Sequence, residues 1–334
     1  MRYRTAFFAL LLIVGLGSKD VIAGPALLFD VGSNKVLYAE EPDSLWYPAS
    51  LTKMMTAYLT FEAIKGGKLT LKSKISCSAY ARKQPPSKIG LKVGGKMSLD
   101  LALKSLIVKS ANDVAVMLAE AVAGSEAAFV ARMNATAKQL GMTRTNFVNP
   151  HGLPAAAQVS TARDLAKLAR AVVTTYPEYA HYWSMTQMRI GKIKLRSHNG
   201  LLRSFKGADG MKTGFICDSG FNVIASATRD ETRLVAIVLG DASSAERNVR
   251  AKSILEYGFA QPGWKQLFNS TTVDNLPMTP NASGVRSVRK SIASWSCNPE
   301  KARAAKKRRR KKKKTAKKPK KTLDSAQANS RKAQ

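Results

Sequence analysis

The chain predicts an α+β fold in which an antiparallel sheet, assembled from both ends of the sequence, is covered by helices and interrupted by a helical insertion. Three observations predict it. Short apolar runs separated by turn residues open the chain, helical periodicity dominates its middle, and strand-like runs return after Gly207 ahead of one closing helix.

Pro25 to Asp30 and Lys35 to Ala39 read as two strands of a hairpin around the turn Val31-Gly32-Ser33-Asn34. Pro48-Ala49 opens a helix whose Leu51, Met54, Met55, Tyr58, Leu59 and Phe61 form a broad apolar face. Helical patterns follow over Leu99 to Val108, Asp113 to Val122 and Glu126 to Leu140, the last closed by Gly141 as a C-terminal cap. Asn146 to Leu153 is a loop, and Ser160 begins a helix that reaches about Thr174. Gly210 to Phe215, Phe221 to Ala227 and Arg233 to Leu239 are strands, the last two antiparallel across the turn Arg229 to Thr232. Ala245 to Phe259 is the closing helix.

The ends of the chain differ in texture. Residues 1–23 read as a cleaved signal peptide: a basic start at Met1-Arg2-Tyr3-Arg4, an apolar run from Ala6 to Gly17, and small residues before Gly24. An exported, periplasmic location follows. Residues 24–262 form the catalytic domain and 263–300 a linker, within which Val285, Val288, Ile292 and Trp295 share one narrow helical face. That spacing fits a short amphipathic basic helix at a membrane interface, or a segment docked on the main domain. Residues 301–334 are a polybasic tail with nothing apolar to bury, and disorder is expected there.

The net charge is +33, of which the tail supplies +16 and the body +17. Such a balance suits an anionic membrane face, an anionic wall polymer, or substrates bearing carboxylates. No nucleic acid is expected, because the tail lacks interleaved aromatic residues and sits on no nucleic-acid motif. The histidines at 151, 181 and 198 and the cysteines at 77, 217 and 297 have no metal-ligand spacing, so no metal and no other cofactor is expected. Three cysteines also leave at least one without an intrachain partner.

The chemistry lies in three motifs in order: Ser50-Leu51-Thr52-Lys53, Ser110-Ala111-Asn112 and Lys212-Thr213-Gly214. Each is weak alone. A second Ser-x-x-Lys occurs at Ser287 to Lys290, and Ser-x-Asn recurs at Ser197 and Ser296. As a set they supply a nucleophile, two proton carriers, an amide and a cation, the equipment of a serine acyl-transferase that uses lysine in place of histidine. Ser50 and Lys53, three apart at a helix start, share a face, and the positive end of the helix dipole favours the neutral amine a base must be. Ser110 can bridge Lys53 to a leaving amine. Asn112 can hold Lys53 or substrate backbone. Lys212 and Thr213 offer a cation and a hydroxyl to a substrate carboxylate, with Gly214 permitting close approach of substrate backbone.

This ordered set resembles the penicillin-recognising serine acyltransferases, and more closely the D-alanyl-D-alanine carboxypeptidases of the low-molecular-mass penicillin-binding proteins. The resemblance runs from about Gly24 to Gln261. It includes Pro48-Ala49 before Ser50, Asp113 with Leu118-Ala119-Glu120, the loop Asn146 to Leu153, Ser160-Thr161-Ala162 with Asp164-Leu165-Ala166, and Gly210-Met211 before Lys212. It implies a β-lactamase/transpeptidase-like fold and removal of the terminal D-alanine from peptidoglycan stem peptides, with β-lactams as inhibitors. It implies that Ser50 forms the acyl-enzyme, Lys53 is the base, Ser110 a proton shuttle and Asn112 an orienting group. Lys212, helped by Thr213, would bind the terminal carboxylate, and the backbone N–H groups of Ser50 and Phe215 would form an oxyanion hole. A cross-link-cutting endopeptidase shares every motif. A β-lactamase on the same fold needs a water-activating acid, for which residues 141–180 offer only Asp164 and Glu178, neither in a Glu-x-x-x-Asn pattern. Many relatives carry a second, all-β domain after the catalytic one, and the stretch from Gly263 to Glu300 is too short for it. The resemblance assigns no role to Cys217.

Overall fold

The computed structural model describes residues 24–261, 270–279, 282, 284–292, 297–300 and 303. The expected signal peptide, Trp295 and all but Arg303 of the polybasic tail lie outside them.

Five antiparallel strands form the central sheet, in the order β2-β1-β9-β8-β7. They are β1 (Ala26–Asp30) and β2 (Val36–Glu40) from the start of the chain, with β7 (Ala208–Ile216), β8 (Gly220–Arg229) and β9 (Thr232–Asp241) from its later part. Side chains of a strand alternate between faces, and the two layers of core follow that alternation. Leu27, Phe29, Val235, Ile237 and Leu239 enter the larger core, whereas Leu28, Leu234, Ala236 and Val238 pack with Ala251 and Leu255 of the closing helix α8 (Ser244–Phe259). Both faces of the sheet are therefore covered, as the apolar runs of β8 and β9 require.

The larger core is shared with α1 (Lys53–Lys65), which runs through the middle of the molecule. All six residues of its expected apolar face are buried, but so are Lys53, Thr56 and Thr60, so the helix has no solvent stripe in that stretch. Around it lies the helical insertion: the paired strands β3 (Lys74–Ser76) and β4 (Lys96–Ser98) with α2 (Ala79–Lys83) and α3 (Leu99–Lys104), then α4 (Asn112–Ala123), α5 (Glu126–Gln139) and α6 (Ala162–Thr175). Ser98, Ser125, Thr161 and Ser243 each accept a backbone N–H from the following helix and so fix where it starts. The short helix α7 (Ala180–Trp183) leads to an outlying hairpin, β5 (Gln187–Ile190) and β6 (Ile193–Arg196), which returns the chain to β7.

After α8 the chain becomes a strap wrapped on the same body. The Val36 N–H donates to the Thr271 carbonyl and the Val273 N–H to that of Asn34. The Thr279 N–H and the Arg163 guanidinium both donate to the buried carboxylate of Asp43. Further along, Val288 N–H donates to the Asp218 carbonyl, and Ser287 and Arg289 donate to the Asp218 carboxylate. The expected amphipathic helix is not formed here. Only Arg289–Ser291 is a 3₁₀ turn, and the apolar side chains Val288 and Ile292 are buried in the main core rather than presented to a membrane. A disulfide joins Cys217, in the β7–β8 turn, to Cys297, while Cys77 is buried and free. The main core thus extends past residue 262, where the sequence pattern placed the edge of the catalytic domain.

The disulfide closes a loop across 80 residues, and cross-links over long loops typically contribute about 2–4 kcal/mol. Cys297→Ser should lower the thermal midpoint measured by calorimetry without reductant. The wild-type protein in reductant should match the variant.

Candidate active site

Ser50 lies in a 3₁₀ turn, Ala49–Thr52, that leads straight into α1, so Lys53 is the first residue of the α-helix. The turn is squeezed from two sides. A side chain at Gly214 of β7 would meet the Pro48 carbonyl at 2.9 Å and the Ser50 nitrogen at 3.1 Å. Gly152, at φ +82, could not carry one at all, since its Cβ would sit 1.8 Å from the Ala49 carbonyl oxygen. The tightness at Gly214 therefore serves contact with the nucleophile's own turn, where the sequence suggested contact with substrate backbone.

Lys53 is 1% exposed. Its Nζ donates to Ser50 Oγ at 3.0 Å, to Asn112 Oδ1 at 2.8 Å and to the His151 carbonyl at 2.5 Å. Burial pushes the amine well below its ordinary range, and the charge of Lys212 pushes it further, against an opposing pull from Asp113. Desolvation is the largest cause.

Asn112, expected as an orienting group, ties three things together. Its carbonyl oxygen accepts from Lys53, its amide nitrogen donates to the Pro85 carbonyl, and its backbone N–H donates to that of Ser87. Next to it, the Asp113 carboxylate accepts the N–H groups of Ile89 and Gly90. The 85–90 loop is thereby held against the cleft. Ser110 sits at the end of a wide helical turn, Ser105–Lys109, in the left-handed region at φ 59. Its Oγ accepts from Lys212 Nζ at 2.9 Å. Lys53 is not among its partners; the contact Ser110 makes with a lysine is with Lys212.

Lys212 is 2% exposed and points inward to Ser110 and to the Thr213 carbonyl. Burial, and then the charge of Arg247, depress its amine to about 7. The cleft itself has a volume of about 460 Å³ and is lined by Ser50, Ser110, Asn112, Thr213 and Gly214 from the three motifs, with Phe215 directly after the third. Arg247, His198 and His151 are among the further residues that reach it. Arg247 of α8 is a second cation, buried, with its guanidinium on Asn248 Oδ1 and the His198 carbonyl. His198 lines the wall, and His151 is held neutral, its imidazole driven down to about 3 by burial and then by Lys53. The loop carrying His151 is locked by Asn149 Oδ1, which accepts from His151 and Gly152 N–H, and by Thr56, which donates to the Pro150 carbonyl. The sequence signal for Arg247 was a lone arginine in the first turn of the closing helix, too common a feature to stand out.

Among the described residues no cluster of three or more His, Cys, Asp or Glu could hold a metal. Among the described residues no carboxylate lines the cleft.

Because Lys212 is the charge that opposes protonation of Lys53, Lys212→Met should let the Lys53 amine titrate at higher pH. NMR of ¹³Cε-labelled lysine reads this directly, and an unmoved Lys53 resonance would mean burial alone sets its acidity.

A family model described as D-alanyl-D-alanine carboxypeptidase matches residues 15–243. The chain is 38% identical over 251 residues to the D-alanyl-D-alanine carboxypeptidase DacA of Haemophilus influenzae, covering 74% of this chain and 64% of that one. It is 34% identical over 294 residues to DacC of Escherichia coli, covering 84% and 71% respectively. The chain thus spans about two thirds of the length of these relatives. Among solved structures, penicillin binding protein 5 from Haemophilus influenzae superposes with a TM-score of 0.69 at 37% identity, covering 71% of each chain. Penicillin-Binding Protein D2 from Listeria monocytogenes, in its cefotaxime-bound form, superposes with a TM-score of 0.65 at 33% identity, over 71% of this chain and 97% of that one. The fold is the transpeptidase/β-lactamase fold that the motifs implied, and with a match over so much of its length the chain belongs to the D-alanyl-D-alanine carboxypeptidase family.

Proposed function

We propose that this protein is a serine D-alanyl-D-alanine carboxypeptidase that removes the terminal D-alanine from peptidoglycan stem peptides. The observation that carries the reading is the Lys53 amine, buried and depressed, 3.0 Å from the Ser50 hydroxyl. When that amine is neutral it has two N–H donors and one lone pair. Asn112 Oδ1 and the His151 carbonyl can only accept, so they take the two N–H groups. The lone pair is left for the Ser50 proton.

Ser50 Oγ then attacks the penultimate D-alanine carbonyl as its proton passes to Lys53. The Ser50 and Phe215 N–H groups stabilise the oxyanion, held together by the close seat of Gly214 on the Ser50 turn. The C–N bond breaks as the proton held on Lys53 passes, relayed by Ser110, to the departing amine, and water then hydrolyses the ester with Lys53, neutral once more, as base. Thr213 and Arg247, both on the cleft wall, hold the terminal carboxylate, and Lys212 supports them electrostatically from behind Ser110. The absence of a carboxylate from the lining supports a peptidase over a β-lactamase, which needs a water-activating acid there. β-Lactams acylate Ser50 as inhibitors; ampicillin- and cefotaxime-bound structures of the Listeria protein support this. Residues 1–23 and the Cys217–Cys297 disulfide support an exported, oxidising location, with the basic tail touching anionic lipid or wall polymer.

After treatment with penicillin, mass spectrometry should show one adduct, on the peptide containing Ser50, and Ser50→Ala should show none. Arg247→Gln should cut kcat/KM for D-alanine release by about 10- to 100-fold, the scale of one charged hydrogen bond, chiefly through KM. An unchanged KM would remove Arg247 from the carboxylate site.

A further inference from the structure

The hairpin β5–β6 is the part of the fold that the chemistry above leaves unused. Its strands pair Gln187 with Arg196, Met188 with Leu195, Arg189 with Lys194 and Ile190 with Ile193. Met188 is buried and Leu195 half-buried on the inner side, where the hairpin packs against residues 105–109, the turn that delivers Ser110. Arg189, Lys194 and Arg196 are exposed on the other side, with Lys192 exposed at the turn. Arg189 and Lys194 are directly opposite, an arrangement of like charges that costs stability in an antiparallel pair. Nothing in the neighbourhood of the sequence relieves it. Residues 179–208 contain six Lys and Arg and no Asp or Glu, and among the described residues none of these four cations forms an ion pair.

The hairpin also stands at the cleft. His198, two residues beyond β6, lines the cavity, and the charges of Lys212, Lys109 and Arg247 reach it. The exposed cations therefore form a continuation of the positive field of the site, outside the space that the scissile end of a peptide would fill.

We propose that the outer face of β5–β6 is a docking surface for the carboxylate-bearing polymer from which the stem peptide projects. This rests on the peptidase reading of the Ser50 cleft. Arg189, Lys194 and Arg196 bind carboxylates on the polymer body, so substrate attached to it is captured before its end enters the cleft, while a short peptide gains nothing from them. Steering of this kind falls steeply with ionic strength.

The test uses the full chain and its combined variant Arg189→Gln, Lys194→Gln, Arg196→Gln, so that the basic tail is the same in both. D-Alanine release is measured from intact sacculi and from a short acyl-D-Ala-D-Ala peptide, at low and high salt. The variant should keep the kcat/KM of the short peptide and the rate of acylation by penicillin within about twofold, and lose about tenfold on sacculi at low salt. The gap should close at high salt. No loss on sacculi, or an equal loss on both substrates, would overturn the proposal. Co-sedimentation with sacculi and with phosphatidylglycerol vesicles is run in parallel. A variant that binds sacculi as wild type does, but has lost vesicle binding, overturns it in favour of a lipid surface. If wild type releases no D-alanine from either substrate, the peptidase reading fails, and the co-sedimentation arm decides the docking surface alone.

Discussion

Lys53 is shut away from water with three oxygen atoms in hydrogen-bonding reach, and each comes from a different stretch: the 3₁₀ turn before α1, the start of α4, and the 149–153 loop. A buried amine with fewer partners would be costly to keep, so the three stretches must converge for the centre of the molecule to close. Thr56 and Asn149 pin the loop, Gly152 lets it press on Ala49, and Asn112 carries the 85–87 segment with it. The same convergence that stabilises the core aligns the groups around Ser50. Capping and packing at this point are not separable from chemistry.

The second buried lysine gives the site its polarity. Lys212 and Lys53 are both out of solvent, and both are pushed toward the neutral form. Burial acts first on both; the charge of Lys212 then adds to it at Lys53, and that of Arg247 at Lys212. Lys212 Nζ meets Ser110 Oγ, and Arg247, whose charge acts on Lys212, lines the same cleft. In the proposed mechanism one amine serves as base and the other as electrostatic support because of where the β7 edge and α1 place them, not because of any difference in residue type.

Much of this was legible in residue order. The central strands, α4, α5, α6 and α8 fall within a few residues of their periodic patterns, because long apolar segments flanked by Ser, Thr and Gly leave few alternatives. The three motifs do meet in one cleft. What escaped notice is instructive. The His151 carbonyl contributes through backbone, which no side-chain motif can advertise. Arg247 acts from a helix whose own pattern is ordinary. The β5–β6 hairpin carries a usable alternation, Met188-x-Ile190 and Ile193-x-Leu195 about Gly191, hidden by its density of cations. The strap between 270 and 292 has too few apolar residues to show a period, and its place is set by Asp43 and Asp218, residues far away in sequence.

The cross-link at Cys297 also determines where the chain stands once it has passed the strap. Cys217 directly follows Ile216, which lines the cleft, so the backbone after residue 297 leaves from beside the opening and not from the far end of α8. Reducing that one bond would move the last anchored point back only to Ile292, buried in the main core beside the contacts of Ser287, Val288 and Arg289 with Asp218.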